Sequence, residues 1–257
     1  MGMLDLSNVS FSYNGDPAID NLCLSVESGE FIGLIGANGS GKSTILKLAA
    51  GTLRPGAGEI TLWGKAIHHY RDRDRAKLVS YLPQMLDVHV PFRVNELVRM
   101  GLYPYDIPPD LTPDEAVATV GLADKGDSLI GELSGGERRR AFLAMTLLQG
   151  AGILLLDEPL ANLDIRFQIE LMRLLKDLRH QKHISIVMAL HDINLAFQFD
   201  KVYVVKEGRI ITEGRPLETI TRDLLREAFD VDVMIYHHEN GTVSFGFERM
   251  EDKNGLR

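Results

Sequence analysis

Gly36-Ala37-Asn38-Gly39-Ser40-Gly41-Lys42-Ser43-Thr44 follows an apolar run, Phe31 to Ile35, and opens a helical pattern that continues to Ala50. The order strand, glycine-rich loop, helix is the context that a phosphate-binding loop requires. Glycines let the backbone curl so that successive N–H groups and the helix N-terminus converge on a β-phosphate. Lys42 adds a point charge toward the β and γ oxygens, and the Ser43 hydroxyl is placed to ligate Mg²⁺. A glycine-rich turn that only capped a helix would not need the whole nonapeptide. The segment therefore predicts a nucleoside triphosphate site inside an α/β fold.

Working outward, Ile153 to Leu156, Ile184 to Leu190 and Val202 to Val205 are runs of the same kind, rich in Ile, Leu and Val and bounded by Gly, Asp or charge. They read as buried parallel strands. Helical patterns at Arg138 to Gln149, Ile165 to His180 and Asn194 to Phe199 alternate with them, which predicts a mostly parallel sheet. The first 30 residues differ. Alternating stretches around Asn14-Gly15, and Glu59 to Trp63 after Pro55-Gly56, predict a small antiparallel sheet beside the main one. From about Met85 to Leu133 strand signals vanish, and Val94 to Met100 and Pro113 to Val120 read as helices. The second starts on Thr112 as N-cap, Pro113 at the first helical position and Glu115 three residues after the cap. This region reads as a helical lobe inserted into the core. Near the end, Asp232 to His238 and Thr242 to Phe247 flank Asn240-Gly241, a strong hairpin signal, and EDKNGLR reads as a frayed tail.

Two further segments carry chemistry. Ile153-Leu154-Leu155-Leu156-Asp157-Glu158-Pro159 is a strand ending in two carboxylates. Asp157 at the strand's C-terminal edge is positioned to hold Mg²⁺, and Glu158, pointing differently, could accept a proton from an attacking water. Leu133-Ser134-Gly135-Gly136-Glu137 contains a capping box, Ser134 with Glu137, before the helix that follows. Capping does not explain the two consecutive glycines, which cost helix stability but let a phosphate approach the N–H groups; a capped helix N-terminus is also an anion site.

The bulk properties narrow the remaining options. The chain has 257 residues, 45% apolar and 25% charged, as in an ordinary globular protein. Lys plus Arg is 28 against 36 Asp plus Glu, a net charge of −8, so nucleic acid is not an expected partner. The longest apolar candidate, Ala141 to Leu156, is broken by Thr146, Gln149, Gly150 and Gly152, so no membrane span is expected. MGMLDLSNVS lacks a basic region followed by an apolar segment, and a cytoplasmic location is expected. The single cysteine, Cys23, sits among Leu22, Leu24 and Val26 and reads as core. The histidine pairs His68-His69, His180 with His183, and His237-His238 lie near element ends with no completing ligands and read as solvated residues. Arg71, Arg73, Arg75 and Lys77, interleaved with Asp72 and Asp74, read as a mixed-charge exposed face.

The loop at 36–44, LSGGE at 133–137 and LLLDEP at 154–159 together resemble the nucleotide-binding subunit of an ABC transporter, over nearly the whole chain. The resemblance implies a P-loop ATPase in one domain. Residues 1–84 and 150–220 would form the ATP-binding core, about 85–149 the helical lobe, and 221–257 a C-terminal helix and β-hairpin. It implies further site residues. Gln84 resembles the Q-loop glutamine that senses Mg²⁺ and the γ-phosphate, and Asp164, after Leu163, the D-loop. His191 resembles the switch histidine at the γ-phosphate, and Tyr13 the aromatic that stacks on adenine. The family works as an ATP-sandwich homodimer in which Ser134, Gly135, Gly136 and Glu137 of one protomer close over the triphosphate held by the other. It acts at the cytoplasmic face of the membrane on integral membrane permease subunits, served indirectly by a substrate-binding protein.

The run Val90 to Tyr105, His191 to Ala196, and Lys206 to Gly214 resemble ATPases of importers for iron chelates, haem and cobalamin. Zinc and manganese importers share part of the pattern, Tyr103-Pro104-Tyr105 also reads as a generic turn, and a soluble ABC ATPase of iron–sulfur cluster assembly is the alternative of a different class. Three positions depart from the family: Leu160 where Thr or Ser is usual, Met145 where Arg is common, and Arg139 where a Gln usually stands two residues after the signature.

Overall fold

The computed structural model describes residues 2–84, 91–161, 163–238 and 243–246. Val90, the Asn240-Gly241 turn and the tail at 251–257 lie outside the described residues. The chain begins with a hairpin, β1 (Leu4–Tyr13) and β2 (Asp16–Val26). At its turn, Asn14 and Gly15 have φ of 50° and 98°, the left-handed pair that a two-residue connection of twisted strands needs. Leu22, Leu24 and Val26 are buried while Cys23 is exposed. The expectation of a core cysteine is corrected here. Strand alternation sends Cys23 to the opposite face, where its thiol donates to Asn8 Oδ1 at 3.1 Å.

β3 (Phe31–Ile35) then enters the main sheet and α1 (Lys42–Ala49) follows the glycine-rich loop. β4 (Ala57–Leu62) and β5 (Lys65–Ala66) complete an antiparallel sheet of order β2-β1-β4-β5. The chain continues through α2 (Asp72–Ala76), β6 (Val79–Leu82), α3 (Val94–Arg99), α4 (Pro113–Thr119) and α5 (Gly135–Leu148). After these come β7 (Ile153–Asp157), α6 (Ile165–Lys182), β8 (Ser185–Leu190), β9 (Lys201–Lys206) and β10 (Arg209–Gly214). Two helices, α7 (Pro216–Thr219) and α8 (Arg222–Phe229), and the hairpin β11 (Met234–His237) with β12 (Val243–Gly246) end the described part. The six-stranded sheet has the order β10-β9-β3-β8-β7-β6, parallel throughout except for the β10 edge. Two details differ from the sequence reading: β6 is an unanticipated strand, and Asn194 to Phe199 is replaced by a 3₁₀ helix, Ile193–Gln198.

Every residue of β3, β7 and β8 is buried, because both faces of the parallel sheet are covered. Phe31, Ile35, Leu154 and Leu156 pack into one cluster with Ala116, Val117 and Leu143 of the helical region. Ile32, Leu34, Ile153 and Leu155 pack into the other with Leu4, Leu6, Ile45 and Leu46. Each fully buried Leu or Ile contributes roughly 1.5–3 kcal/mol, so this two-sided layer is the chain's firmest support. Its register pairs Ile35 with Leu190, Asp157 with Ala189 and Leu82 with Leu156. The C-terminal ends of four strands therefore stop side by side, in the crevice where open α/β sheets bind ligands.

Candidate nucleotide-binding site

The loop after β3 depends on glycine at two positions. A Cβ at Gly36 would lie 2.3 Å from the Val205 carbonyl, and Gly41, with φ 110°, turns the chain into α1. Lys42 is buried, and its ammonium donates to the Gly36 and Ala37 carbonyls at 2.8 and 3.0 Å. Burial pushes its pKa down, opposed by the carboxylates of Glu158 and Asp157. Asn38, Gly39, Ser40, Gly41, Lys42, Ser43 and Thr44 line one cleft together with Gln84, Glu158 and His191.

Asp157 is 1% exposed at the end of β7. The Ser43 hydroxyl donates to its Oδ1 at 3.0 Å and the Tyr81 hydroxyl to its Oδ2 at 3.2 Å. Burial, then the charge of Asp157, raises the pKa of Tyr81 well above the ordinary tyrosine value. Ser43 and Asp157 are adjacent hard oxygen donors, and Gln84, which carries an amide oxygen, lines the same cleft. That donor set fits Mg²⁺, which takes few protein ligands and keeps water and phosphate oxygens.

Glu158 follows with φ 51°, a left-handed conformation that is strained for a residue bearing a side chain. Its carboxylate is nearly inaccessible. Gln84 Nε2 donates to Oε2, and His191 Nε2 meets the same oxygen. The ends of β6 and β8 thus deliver Gln84 and His191 to the carboxylate that follows β7.

The remaining residues lie apart from this lining. Tyr13 ends β1, 42% exposed, with its hydroxyl 3.5 Å from Thr44 Oγ1, beside the loop. Ser134 and Glu137 form the expected capping box on α5: Ser134 Oγ accepts from Glu137 N at 3.3 Å and Glu137 Oε2 accepts from Ser134 N at 2.9 Å. The Ser134 hydroxyl also donates to Oε2 at 2.8 Å, and the backbone bond, then this hydroxyl bond, lower the pKa of Glu137. Ser134 and Gly135 are exposed and Gly136 partly so. Asp164 caps α6, accepting from Phe167 N at 3.0 Å. None of these residues belongs to the lining of the cleft around Lys42.

Sequence reasoning missed two participants, Tyr81 and Arg139. Tyr81 was hidden because β6 is only four residues long; once its pairing with β7 is known, alternation accounts for its direction. Arg139 is buried on α5, and its guanidinium donates to main-chain carbonyls beneath the cleft. Its departure from the family's usual Gln was its signal in the sequence, without indicating a role. His68, His69, His180 and His183 are exposed; the side chain of His237 is outside the described residues.

Residues 19–161 match the family model described as ABC transporter. The chain belongs to the ABC transporter family. It is 37% identical over 263 residues to the petrobactin import ATP-binding protein FpuC of Bacillus anthracis, an alignment covering 99% of this chain and 96% of that one. It is also 37% identical to the hemin import ATP-binding protein HmuV of Rhodopseudomonas palustris, covering 98% and 96%. Among solved structures, the dimeric MJ0796, a bacterial ABC transporter cassette, superposes with a TM-score of 0.75 at 25% identity, covering 83% of this chain and 99% of that one. The chain is an ABC ATPase with the P-loop fold, as the loop at 36–44 implied.

Proposed function

We propose that this ABC ATPase hydrolyses ATP to energise an importer of iron chelates, haem or cobalamin. The supporting observation is the meeting of Ser43, Gln84, Asp157, Glu158 and His191 at one phosphate-binding loop. It occurs in a chain whose relatives are named for petrobactin and hemin import. Those names favour the iron-chelate and haem class over zinc, manganese or a soluble assembly role.

In this reading the loop N–H groups from Gly36 to Thr44 and the Lys42 ammonium hold the β- and γ-phosphates, and Tyr13 stacks on adenine. Ser43 and Asp157, with Gln84, would hold Mg²⁺, which supplies charge neutralisation between the β- and γ-oxygens. Glu158 accepts the proton of the attacking water. Gln84 and His191, both on Glu158 Oε2, orient that carboxylate and report the γ-phosphate. A second copy of the chain supplies Ser134, Gly135, Gly136 and Glu137 over the triphosphate, with Asp164 at the same interface, as a homodimer.

Core (1–84 and 150–220), helical lobe (about 85–149) and C-terminal part (221–257) act as one domain. No helix among the described residues is long and apolar enough to cross a membrane. The translocation pathway then belongs to integral membrane permease subunits, fed by a substrate-binding protein, and the ATPase works at the cytoplasmic face. The exposed Met100, Tyr103 and Ile107 of the helical region suit such a contact. Affinity purification from membranes tests this: a multi-span permease should co-purify, and loss of the chain should abolish uptake of a ferric chelate or haem. Isolation only with soluble scaffold proteins would overturn the proposal.

A further inference from the structure

The buried cation Arg139 stands where the family usually has Gln, and the roles above leave it unused. It is 8% exposed, in the second turn of α5, five residues beyond Ser134. Among the described residues none of its hydrogen bonds goes to a carboxylate. Nη1 donates to the Gln84 carbonyl at 3.2 Å, and Nη2 to the Asp157 carbonyl at 2.8 Å and to that of Glu158. Burial lowers its pKa, and the charges of Asp157 and Glu158 oppose that shift. A buried cation persists only where its donors are satisfied. Here Nη1 and Nη2 are satisfied by the main chain of the three residues that carry the Mg²⁺ and water chemistry, while Nε is buried without a partner among the described residues.

The choice of carbonyls has a geometric consequence. The Asp157 carbonyl belongs to the peptide plane before the Glu158 Cα, and the Glu158 carbonyl to the plane after it. Holding both planes restrains both φ and ψ of Glu158, the residue with the strained φ of 51°. Those two angles set the direction of its Cα–Cβ bond, from which the carboxylate extends to Gln84 and His191.

We propose that Arg139 is the positioning residue for Glu158, tying the signature helix to both peptide planes that flank the catalytic carboxylate and to the main chain of Gln84. The inference rests on Glu158 being the base. Because Ser134 caps the 14-residue helix that carries Arg139, the surface offered to a second protomer and the backbone under the base are mechanically one piece. Movement of the helix on ATP closure is transmitted to the Glu158 backbone through the Arg139 side chain.

The test compares steady-state ATPase activity of the full-length chain with Arg139→Met, which removes all donors, Arg139→Gln, which keeps an amide donor, and Arg139→Lys, which keeps charge. Rates are referred to the folded fraction from thermal melts. A misplacement of about 1 Å in a catalytic group costs on the order of 10²-fold. Arg139→Met should therefore lower kcat about 10- to 100-fold with KM for ATP changed less than about threefold, and Arg139→Gln should recover most of the loss. Amide exchange of segment 153–160 should rise in Arg139→Met while that of the loop at 36–44 stays unchanged. In a Glu158→Gln background, adding Arg139→Met should cost less than about twofold in single-turnover hydrolysis, since both changes remove the same function. If Arg139→Met does not fold, Arg139→Lys against Arg139→Gln carries the comparison, with the larger kcat loss expected in whichever shows the greater exchange at 153–160. The proposal falls if kcat stays within about twofold of the parent, if kcat and KM shift together, or if the losses are fully additive with Glu158→Gln. Parental turnover in Glu158→Gln alone would instead overturn the base assignment underneath it.

Discussion

Glu158 illustrates how much of the site rests on single side chains whose identity and placement have different origins. Its carboxylate lies buried between Gln84 and His191, so Glu158→Gln keeps shape and hydrogen bonding while removing the proton acceptor. Phosphate release should fall by about 10²- to 10⁴-fold, the usual contribution of a general base, while ATP binding by calorimetry stays within a few-fold. Undiminished release would reject the role. Lys42→Ala acts on binding instead. It removes charge-assisted hydrogen bonds worth about 1.5–3 kcal/mol, and ATP affinity should weaken on the order of 10- to 100-fold. Unchanged affinity would count against the loop assignment. Lys42, Ser43 and Asp157 could be picked out from sequence because a phosphate loop and a strand-end acid impose fixed residue types at fixed spacing. Tyr81 and Arg139 could not, because a tyrosine or arginine acquires its role only from the carboxylate or carbonyls that packing sets beside it.

At the scale of the element, α5 shows a local motif serving two purposes. Its capping box satisfies the first-turn N–H groups through Ser134 and Glu137. Ser134→Ala should destabilise the nucleotide-free chain by about 1 kcal/mol, read as a lower denaturant midpoint at constant slope. The difference should depend on pH. The folded-state pKa of Glu137 is depressed by Ser134, so its stabilisation is complete above the ordinary glutamate range and is lost as pH falls through the lowered value. The gap between parent and Ser134→Ala should narrow in acid without closing, because the backbone N–H bond to Glu137 survives the substitution and the Glu137 N–H bond to Ser134 Oγ survives protonation; a gap independent of pH would show that the Ser134 hydroxyl does not bind the ionised Glu137. The cap was readable because its residues are three apart in sequence. The strand β6 was not, since Val79-Ser80-Tyr81-Leu82 is too short to show a period and is held by its neighbour β7. Cys23 was misplaced because an apolar run was weighed by composition instead of by alternation.

For the molecule as a whole, the signature surface stands outside the chain's own cleft. A Cβ added at Gly135 would meet nothing within 4 Å, so the fold itself does not require glycine there, although glycine costs the helix about 1 kcal/mol relative to alanine. In the proposed sandwich dimer the requirement belongs to a second copy. Glu158→Gln with Mg²⁺ and ATP should sediment as a dimer, whereas Gly135→Val in that background should bind ATP with unchanged affinity and remain monomeric. A dimer formed equally well by both would remove the signature from the interface.

By itself the sequence determined the α/β class, the phosphate loop, the strand-end carboxylates and the hairpin at Asn14-Gly15, because each depends on short-range backbone geometry and on hydrophobic periodicity. Only the tertiary structure decided that Gln84, Asp157, Glu158 and His191 share one crevice, through the parallel register that aligns the ends of β6, β7 and β8. It alone also decided that Arg139 spends its charge on the carbonyls around Glu158. Those contacts join residues 74, 55 and 18 positions apart, and at such separations the packing of the sheet and helices determines which groups meet.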